Sequence, residues 1–139
     1  MLHVRISIIH LERKKDMPNW TQNELTVEGK TKEVRRFLRH MGEGFSFEKI
    51  IPLLPKDGDK NWPGLEKSGI ENWGTKWDAC EVEVRQDGCP EGEYSWVTYT
   101  FQTAWDAPHP VIAQLKADWS ELSFYGGYVH EGYEGCGTW

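Results

Sequence analysis

Two short stretches hold the residues best suited to recognition chemistry. "ENWGTKW" (71–77) supplies Asn72, Trp73, Lys76 and Trp77, and "TAWDAP" (103–108) supplies Trp105 and Asp106. An indole joins a large apolar face to a single N–H donor, and tryptophan is enriched among the residues that dominate binding energies. Three indoles beside an amide, an ammonium and a carboxylate would make a recognition surface. The competing reading is structural: the same indoles would close the open end of a small core, their N–H groups bonded locally. Trp96, in "YSWVTYTFQTAW" (94–105), is a further candidate, placed to stack from a sheet surface.

Signatures of catalysis do not occur. The chain has no GxSxG, P-loop, HExxH or glycine-rich dinucleotide fingerprint. His130 with Glu131 and Glu134 lacks a metal-specific spacing. His109 follows Pro108 at an expected helix start and reads as a capping or surface residue, and His40 has no partner identifiable from sequence. Cys80, Cys89 and Cys136 form no CxxC pair and read as reduced thiols of a cytoplasmic protein. No catalytic residue, cofactor or metal is therefore assigned.

The elements that position these residues follow from patterning. A chain of 139 residues is one domain by length. Its apolar fraction of 38% includes 18 aromatics, so the core should be aromatic-weighted. "ELTVEG" (24–29) puts Leu25 and Val27 on one face of a strand. "TKEVRRFLRHMGEG" (31–44) spaces Val34, Phe37, Leu38 and Met41 as one helical stripe closed by Gly42, with Lys32, Glu33, Arg35, Arg36 and Arg39 on a solvated face. "FSFEKIIPLLP" (45–55) reads as a packed connection, and 56–69 as a loop with at most a short helical turn.

"DACEVEVRQ" (78–86) alternates with Cys80, Val82 and Val84 inward, and 94–105 alternates with Val97, Tyr99 and Phe101 inward. "DGCPEG" (87–92) between them predicts a hairpin. With its turn centred near 89–90, cross-strand partners sum to about 179, which lays 71–77 beside 101–108 and gathers Trp73, Trp77 and Trp105 at one end of the sheet. "HPVIAQLKADW" (109–119) predicts a second amphipathic helix, "ELSFYGGYVH" (121–130) the last strand, and "EGYEGCGTW" a glycine-rich tail. The order is that of a ferredoxin-like βαββαβ sandwich: an α+β domain with a four-stranded antiparallel sheet and two helices on one face.

Met17 marks a boundary. Glu, Arg and Lys can all be encoded by purine-only codons, so "LERKKD" (11–16) has the character of a translated ribosome-binding site ahead of a start at "MPNW". Residues 1–16 are then a misassigned extension or, since "HVRISII" alternates, an added edge strand; 17–139 is the domain. A chain beginning at Met17 is expected to fold as stably as the full one.

"MPNW" before the first strand, "ENWGTKW" before the second and "F-x-TAW-x-x-P" closing the third resemble the YubB ferredoxin-like domain family of small phage- and plasmid-encoded proteins. The resemblance spans 17–139 and implies the same fold. It implies no activity and no catalytic residues. Thr21 stands where family members often carry a cysteine two residues after "PN", so any role of that thiol is lost here.

Charge narrows the function. With 22 acidic and 16 basic residues the chain carries −6, and 17–139 alone holds 20 and 12, a net of −8. A phosphate-backbone binder needs a basic surface to release counterions, so nucleic acid is an unfavoured partner. No run is long and apolar enough to span a membrane. The leading expectation is a small, acidic, cytoplasmic mobile-element protein: a non-enzymatic interaction module for a bacterial host or mobile-element protein, an inhibitor of a host defence system being its specific form. The alternatives are single-stranded nucleic-acid binding through an open sheet face carrying Trp96, and an enzyme using the Trp-rich end as a pocket. The candidate surface is Asn72, Trp73, Lys76, Trp77, Trp105, Asp106 and Trp96; the oligomeric state is left open.

Overall fold

A computed structural model describes residues 19–85, 91–133 and 135–139. The proposed extension 1–16 and the choice between Met1 and Met17 lie outside the described residues, as do Cys89 and Glu134. The elements are β1 (Trp20–Lys30), α1 (Thr31–Met41), a 3-10 turn (Phe47–Lys49), α2 (Leu65–Asn72), β2 (Cys80–Arg85), β3 (Tyr94–Ala104), α3 (His109–Asp118), β4 (Leu122–His130), a second 3-10 turn (Glu131–Tyr133) and β5 (Cys136–Thr138). The domain is α+β. Its sheet is antiparallel and five-stranded among the described residues, in the order β2-β3-β1-β4-β5.

The two longest strands are the centre of the sheet. Trp20 pairs with Ala104 and Lys30 with Tyr94, an unbroken register of eleven residue pairs between β1 and β3. Alternation then assigns the faces. Leu25 and Val27 of β1, Val97, Tyr99 and Phe101 of β3, and Phe124 of β4 point to one side, all buried. α1 covers that side with Val34, Phe37 and Met41, and α3 with Val111, Ile112 and Leu115. Phe37 meets Tyr99, Trp119 and Phe124 edge-on at centroid distances of 6.3, 5.1 and 5.7 Å. The connection after α1 contributes Phe45, stacked 5.0 Å from Phe101, and Phe47 at 5.8 Å from the same ring. Each such buried ring contributes about 1.5–3 kcal/mol from area alone, so the aromatic weighting expected from composition is where the core's stabilisation lies. The basic residues of α1 face solvent; Arg36 pairs with Glu33 at 2.9 Å and its guanidinium lies 4.6 Å over Trp119.

Four expectations are corrected. The sheet has a fifth strand, because the glycine-rich tail is compact enough to join the edge of β4. A Cβ on Gly127 would sit 2.4 Å from the Gly137 carbonyl oxygen, and one on Gly137 would sit 2.5 Å from the Tyr128 hydroxyl. Trp139 closes this strand by stacking on Tyr128 at 5.5 Å. A third helix, α2, occupies part of the expected loop and takes in Glu71 and Asn72. Its apolar positions are poorly spaced and Ile70 is 56% exposed, so periodicity gives little sign of it.

The hairpin register also differs. Glu83 faces Thr100, Val84 faces Tyr99 and Arg85 faces Thr98, so partners sum to 183 rather than 179. The hairpin centre therefore lies beyond Pro90, which has no N–H to offer a ladder. A bulge between Cys80 and Glu83, with Glu81 at φ 50°, takes up one residue. Residues 71–77 consequently do not run as a strand beside 101–108: 71–72 end α2, and β2 starts only at Cys80. Finally, Val84 is 44% exposed rather than buried. It sits on the edge strand, on the helix-covered side of the sheet but past the reach of the helices.

Candidate functional site

Although 71–77 is not a strand, it is held against the end of β3. The Lys76 N–H donates to the Ala104 carbonyl at 3.4 Å, and the Trp105 N–H to the Asn19 carbonyl at 2.8 Å. The start of β1, the end of β3 and the segment before β2 thus share one end of the sheet. Sequence reasoning places Trp73, Trp77 and Trp105 there together, and the structure gives each a different environment.

Trp73 is core. It is 3% exposed, packs 5.8 Å from Phe47, and donates its indole N–H to the Ile51 carbonyl at 2.9 Å. Gly74 follows at φ 78°, where a Cβ would stand 2.9 Å from Pro110 Cδ; this left-handed, tightly covered position turns the chain out of α2. Trp77 is half-buried. Its ring lies 6.0 Å from Trp20 and its N–H donates to Glu66 Oε1 at 3.3 Å, while Lys76 Nζ stands 5.1 Å over the ring and 3.9 Å from Glu66 Oε2. Asn72 is exposed and bonds back to the Ser68 carbonyl.

Asp78, which sequence reasoning did not single out, explains much of the motif. Its Oδ1 accepts the N–H groups of Phe47 at 2.6 Å and Ala79 at 2.7 Å. Its Oδ2 accepts the Ser46 hydroxyl at 2.7 Å and the Glu48 N–H at 3.4 Å. It therefore caps the 3-10 turn that carries Phe47 into the core, satisfying donors that a helix start leaves without partners. A signal existed in the sequence: an acidic residue closing "NWGTKWD", directly after Trp77. No spacing rule links positions 31 residues apart.

Trp105 is the outlier. It is 50% exposed and holds φ at 79°, a left-handed conformation that costs a bulky residue about 1–2 kcal/mol. Its neighbours hold it there: Thr103 donates its hydroxyl to the Asp106 carbonyl at 2.6 Å, and Asp106 Oδ1 accepts the Ala107 N–H at 2.7 Å. Asp106 also stands 3.7 Å from His130 Nε2, and His130 Nδ1 shares a 2.8 Å hydrogen bond with the Thr21 hydroxyl. Hydroxyl, imidazole and carboxylate stand in series, but Thr21 is fully buried and inaccessible to a substrate, so the series ties β1 to β4. Glu131 Oε2 accepts the Trp20 N–H. Among the described residues, no group of three or more His, Cys, Asp or Glu side chains is placed to hold a metal ion, and Cys80 and Cys136 are free thiols.

Trp96 does not belong to this end. Nine residues separate it from Trp105 along β3, about 30 Å at strand rise. It lies on the opposite face of the sheet from the core, across which no described helix packs. The register writes that face in rows: Trp96, Glu28 and Ser123; then Arg85, Thr98, Thr26 and Tyr125; then Glu83, Thr100, Glu24 and Gly127. Tyr94, Trp96 and Tyr125 are 59%, 38% and 45% exposed. Between them Thr26 and Thr98 share a 3.0 Å hydroxyl hydrogen bond and are almost buried. A shallow depression of about 260 Å³ opens beside them, lined by Glu83, Val84, Arg85, Thr98 and Thr100. The Tyr125 phenol is hydrogen-bonded to Glu28, which raises its pKa above the ordinary value of 10.0, with partial burial and the Glu28 charge adding to the rise.

Tyr125, Tyr94 and Glu28 are thus site residues beyond those the sequence suggests. Tyr125 was accessible to pattern reasoning, since it alternates with the inward Phe124. That Glu28 lies opposite Trp96 required the register. No helix among the described residues is long and apolar enough to cross a membrane. Comparisons with family models, with curated proteins and with solved structures find no match for this chain.

Proposed function

We propose that this chain is a non-enzymatic protein-interaction module that takes a basic partner protein on its uncovered sheet face. The observation that carries the reading is the composition of that face. Tyr94, Trp96 and Tyr125 stand exposed among Glu24, Glu28 and Glu83. Aromatic side chains supply large contact areas at low conformational cost, and rows of carboxylates around them favour a positively charged partner and speed its approach. Lys30, at the end of β1, and Arg85, on the edge strand, give the face two cations at its margins against the three glutamates.

The strand order β2-β3-β1-β4 is that of a ferredoxin-like βαββαβ sandwich, with α2 and β5 as additions. It agrees with the resemblance to the YubB ferredoxin-like family, and on that footing we place the protein in the cytoplasm of a bacterial host, encoded by a phage or plasmid. Inhibition of a host defence system is a role suited to an acidic module that engages a basic host protein.

The alternative, single-stranded nucleic acid stacked on Trp96, draws on the same open aromatic face. The three glutamates oppose it, since each would stand against a phosphate backbone. A Trp-rich catalytic pocket finds less support: Trp73 is in the core and Trp77 is packed on Trp20.

A capture experiment tests the proposal. The full chain and its Trp96→Ala/Tyr125→Ala variant serve as baits in nuclease-treated bacterial lysate. The expected outcome is a basic protein retained at least about tenfold better by the wild type, as loss of two interface aromatics predicts. Identical captured sets for both baits would refute the reading, and recovery of nucleic acid in untreated lysate, lost with the variant, would transfer the face to the alternative.

A further inference from the structure

The centre of the uncovered face has the parts of a binding site for one organic cation. Glu28 lies on the central strand. Trp96 stands directly opposite it on β3, and Tyr125 stands two pairs further along on β4, the next residue on this face, with its phenol acting on Glu28 through a side-chain hydrogen bond. Neighbouring strands are about 4.8 Å apart, so the two rings flank the carboxylate from strands roughly 10 Å apart. A cation seated on the Glu28 carboxylate would have an aromatic ring on each neighbouring strand, and a ring attracts positive charge over about 6 Å. Ser123, paired with Glu28 from the β4 side, is exposed and offers a hydroxyl at the rim. Both rings are half-exposed, so a side chain arriving from outside meets all three groups.

We infer that this trio is the anchor for an arginine side chain of the partner protein. The inference rests on the protein-binding reading above and names the chemistry of that same face. Arginine fits for three reasons. Its guanidinium is planar and stacks on Trp96, it offers paired donors to the Glu28 carboxylate, and it sheds water more readily than an ammonium does. Its methylene stem would lie over Thr26 and Thr98, whose hydroxyls are already bonded to each other and ask for no partner. Glu28 is fixed on the central strand with the Tyr125 phenol acting on it, so the carboxylate is in place before the ligand arrives and less ordering is required on binding. The charged groups on this face around the trio are Lys30, two residues along β1 and opposite Tyr94, Arg85, opposite Thr98, and, two rows from Glu28, Glu24 and Glu83. The two cations offset part of the acidic charge beside Glu28, which favours a single cation over a polycationic tract.

Titration of the full chain with N-acetyl-arginine amide, followed by NMR, tests the inference without the partner. The expected result is saturable shifts of the Trp96 indole and the Tyr125 ring, an affinity about tenfold weaker in Glu28→Gln, and a similar loss in Trp96→Leu. N-acetyl-citrulline amide, the same shape without the charge, should leave the rings unmoved. Equal binding of the citrulline compound, or affinity unchanged in Glu28→Gln with the amide spectrum of the fold preserved, overturns the arginine anchor. If the anchor fails in this way while the capture experiment still returns a face-dependent basic protein, the interaction reading stands and only its anchor is wrong. Specific arginine binding with no face-dependent partner in the lysate has the opposite meaning: the site holds and the protein-binding role fails.

Discussion

Two aromatic surfaces of this domain look alike in sequence and differ in construction. At the sheet end, the indoles of Trp73 and Trp77 spend their N–H groups on Ile51 and Glu66, and the backbone around Trp105 is tied to Asn19, Thr103 and Lys76. On the uncovered face, Tyr94, Trp96 and Tyr125 stand out from the strands, with Tyr125 bonded only as far as Glu28. The first surface is a joint, where three segments of chain distant in sequence are locked together. The second presents its rings to solvent around a buried Thr26–Thr98 pair. Tryptophan density alone therefore does not mark a binding surface; the fate of each N–H and the fraction of each ring left in solvent separate the two uses.

The strongest way to break this comparison is a paired substitution. Trp73→Ala should cost about 3–5 kcal/mol, the usual range for emptying a buried aromatic site, and lower the melting temperature by roughly 10–20 °C in a domain of this size. Trp96→Ala should cost much less, about 1–2 kcal/mol, because its ring is already 38% in solvent. Chemical denaturation of the two variants measures both, and similar losses would erase the distinction between joint and face.

A smaller effect sharpens the description of the joint. Trp105→Gly should leave stability level or raise it by up to about 1 kcal/mol, because glycine adopts φ 79° without the steric penalty and the indole is half in solvent. Trp105→Ala, which keeps the penalty and loses the ring contacts, should be the less stable of the two. A clear loss in the glycine variant would mean that the ring's packing outweighs the strain.

The smallest effect concerns the face. Tyr125 should titrate above an ordinary phenol, since its hydrogen bond to Glu28 favours the protonated form. A folded-state value raised above the unfolded one contributes stability that is fully present below pH 10 and is lost as pH rises through the raised value. Ultraviolet titration against Tyr125→Phe isolates this group, and Glu28→Gln should bring it back towards 10.0. A Tyr125 indistinguishable from a free phenol would remove the preorganised carboxylate from the face.

Much of the framework was legible because it depends on local periodicity. The stripe of Val34, Phe37 and Met41 specified α1, and Gly42 ended it. The alternation of Val97, Tyr99 and Phe101 specified β3 and its buried side. What stayed hidden depended on pairings distant in sequence. α2 has little apolar stripe, because its neighbours and not a core face hold it: a Cβ on Gly69 would lie 2.9 Å from the Thr75 carbonyl oxygen. β5 looked like a tail because three residues carry no period. The hairpin register slipped because turn composition locates a reversal but not its centre, and a bulge then absorbed one residue.

The candidate site was half-legible for the same reason. "ENWGTKW" and "TAWDAP" were recognisable as meeting at one end, but the sequence could not say that Trp73 would be core, Trp77 half-buried against Trp20 and Trp105 exposed. The sequence by itself determined which residues are apolar and at what spacing, hence α1, α3, the long strands, the aromatic core and the acidic balance. Those properties follow from the chemistry of neighbours along the chain. Only the tertiary structure decided that Glu28 lies opposite Trp96 and diagonal to Tyr125, or that Asp78 caps a turn beginning 31 residues earlier. Such contacts arise from register and packing, which are set by the collective burial of the whole core and are written in no single stretch of it.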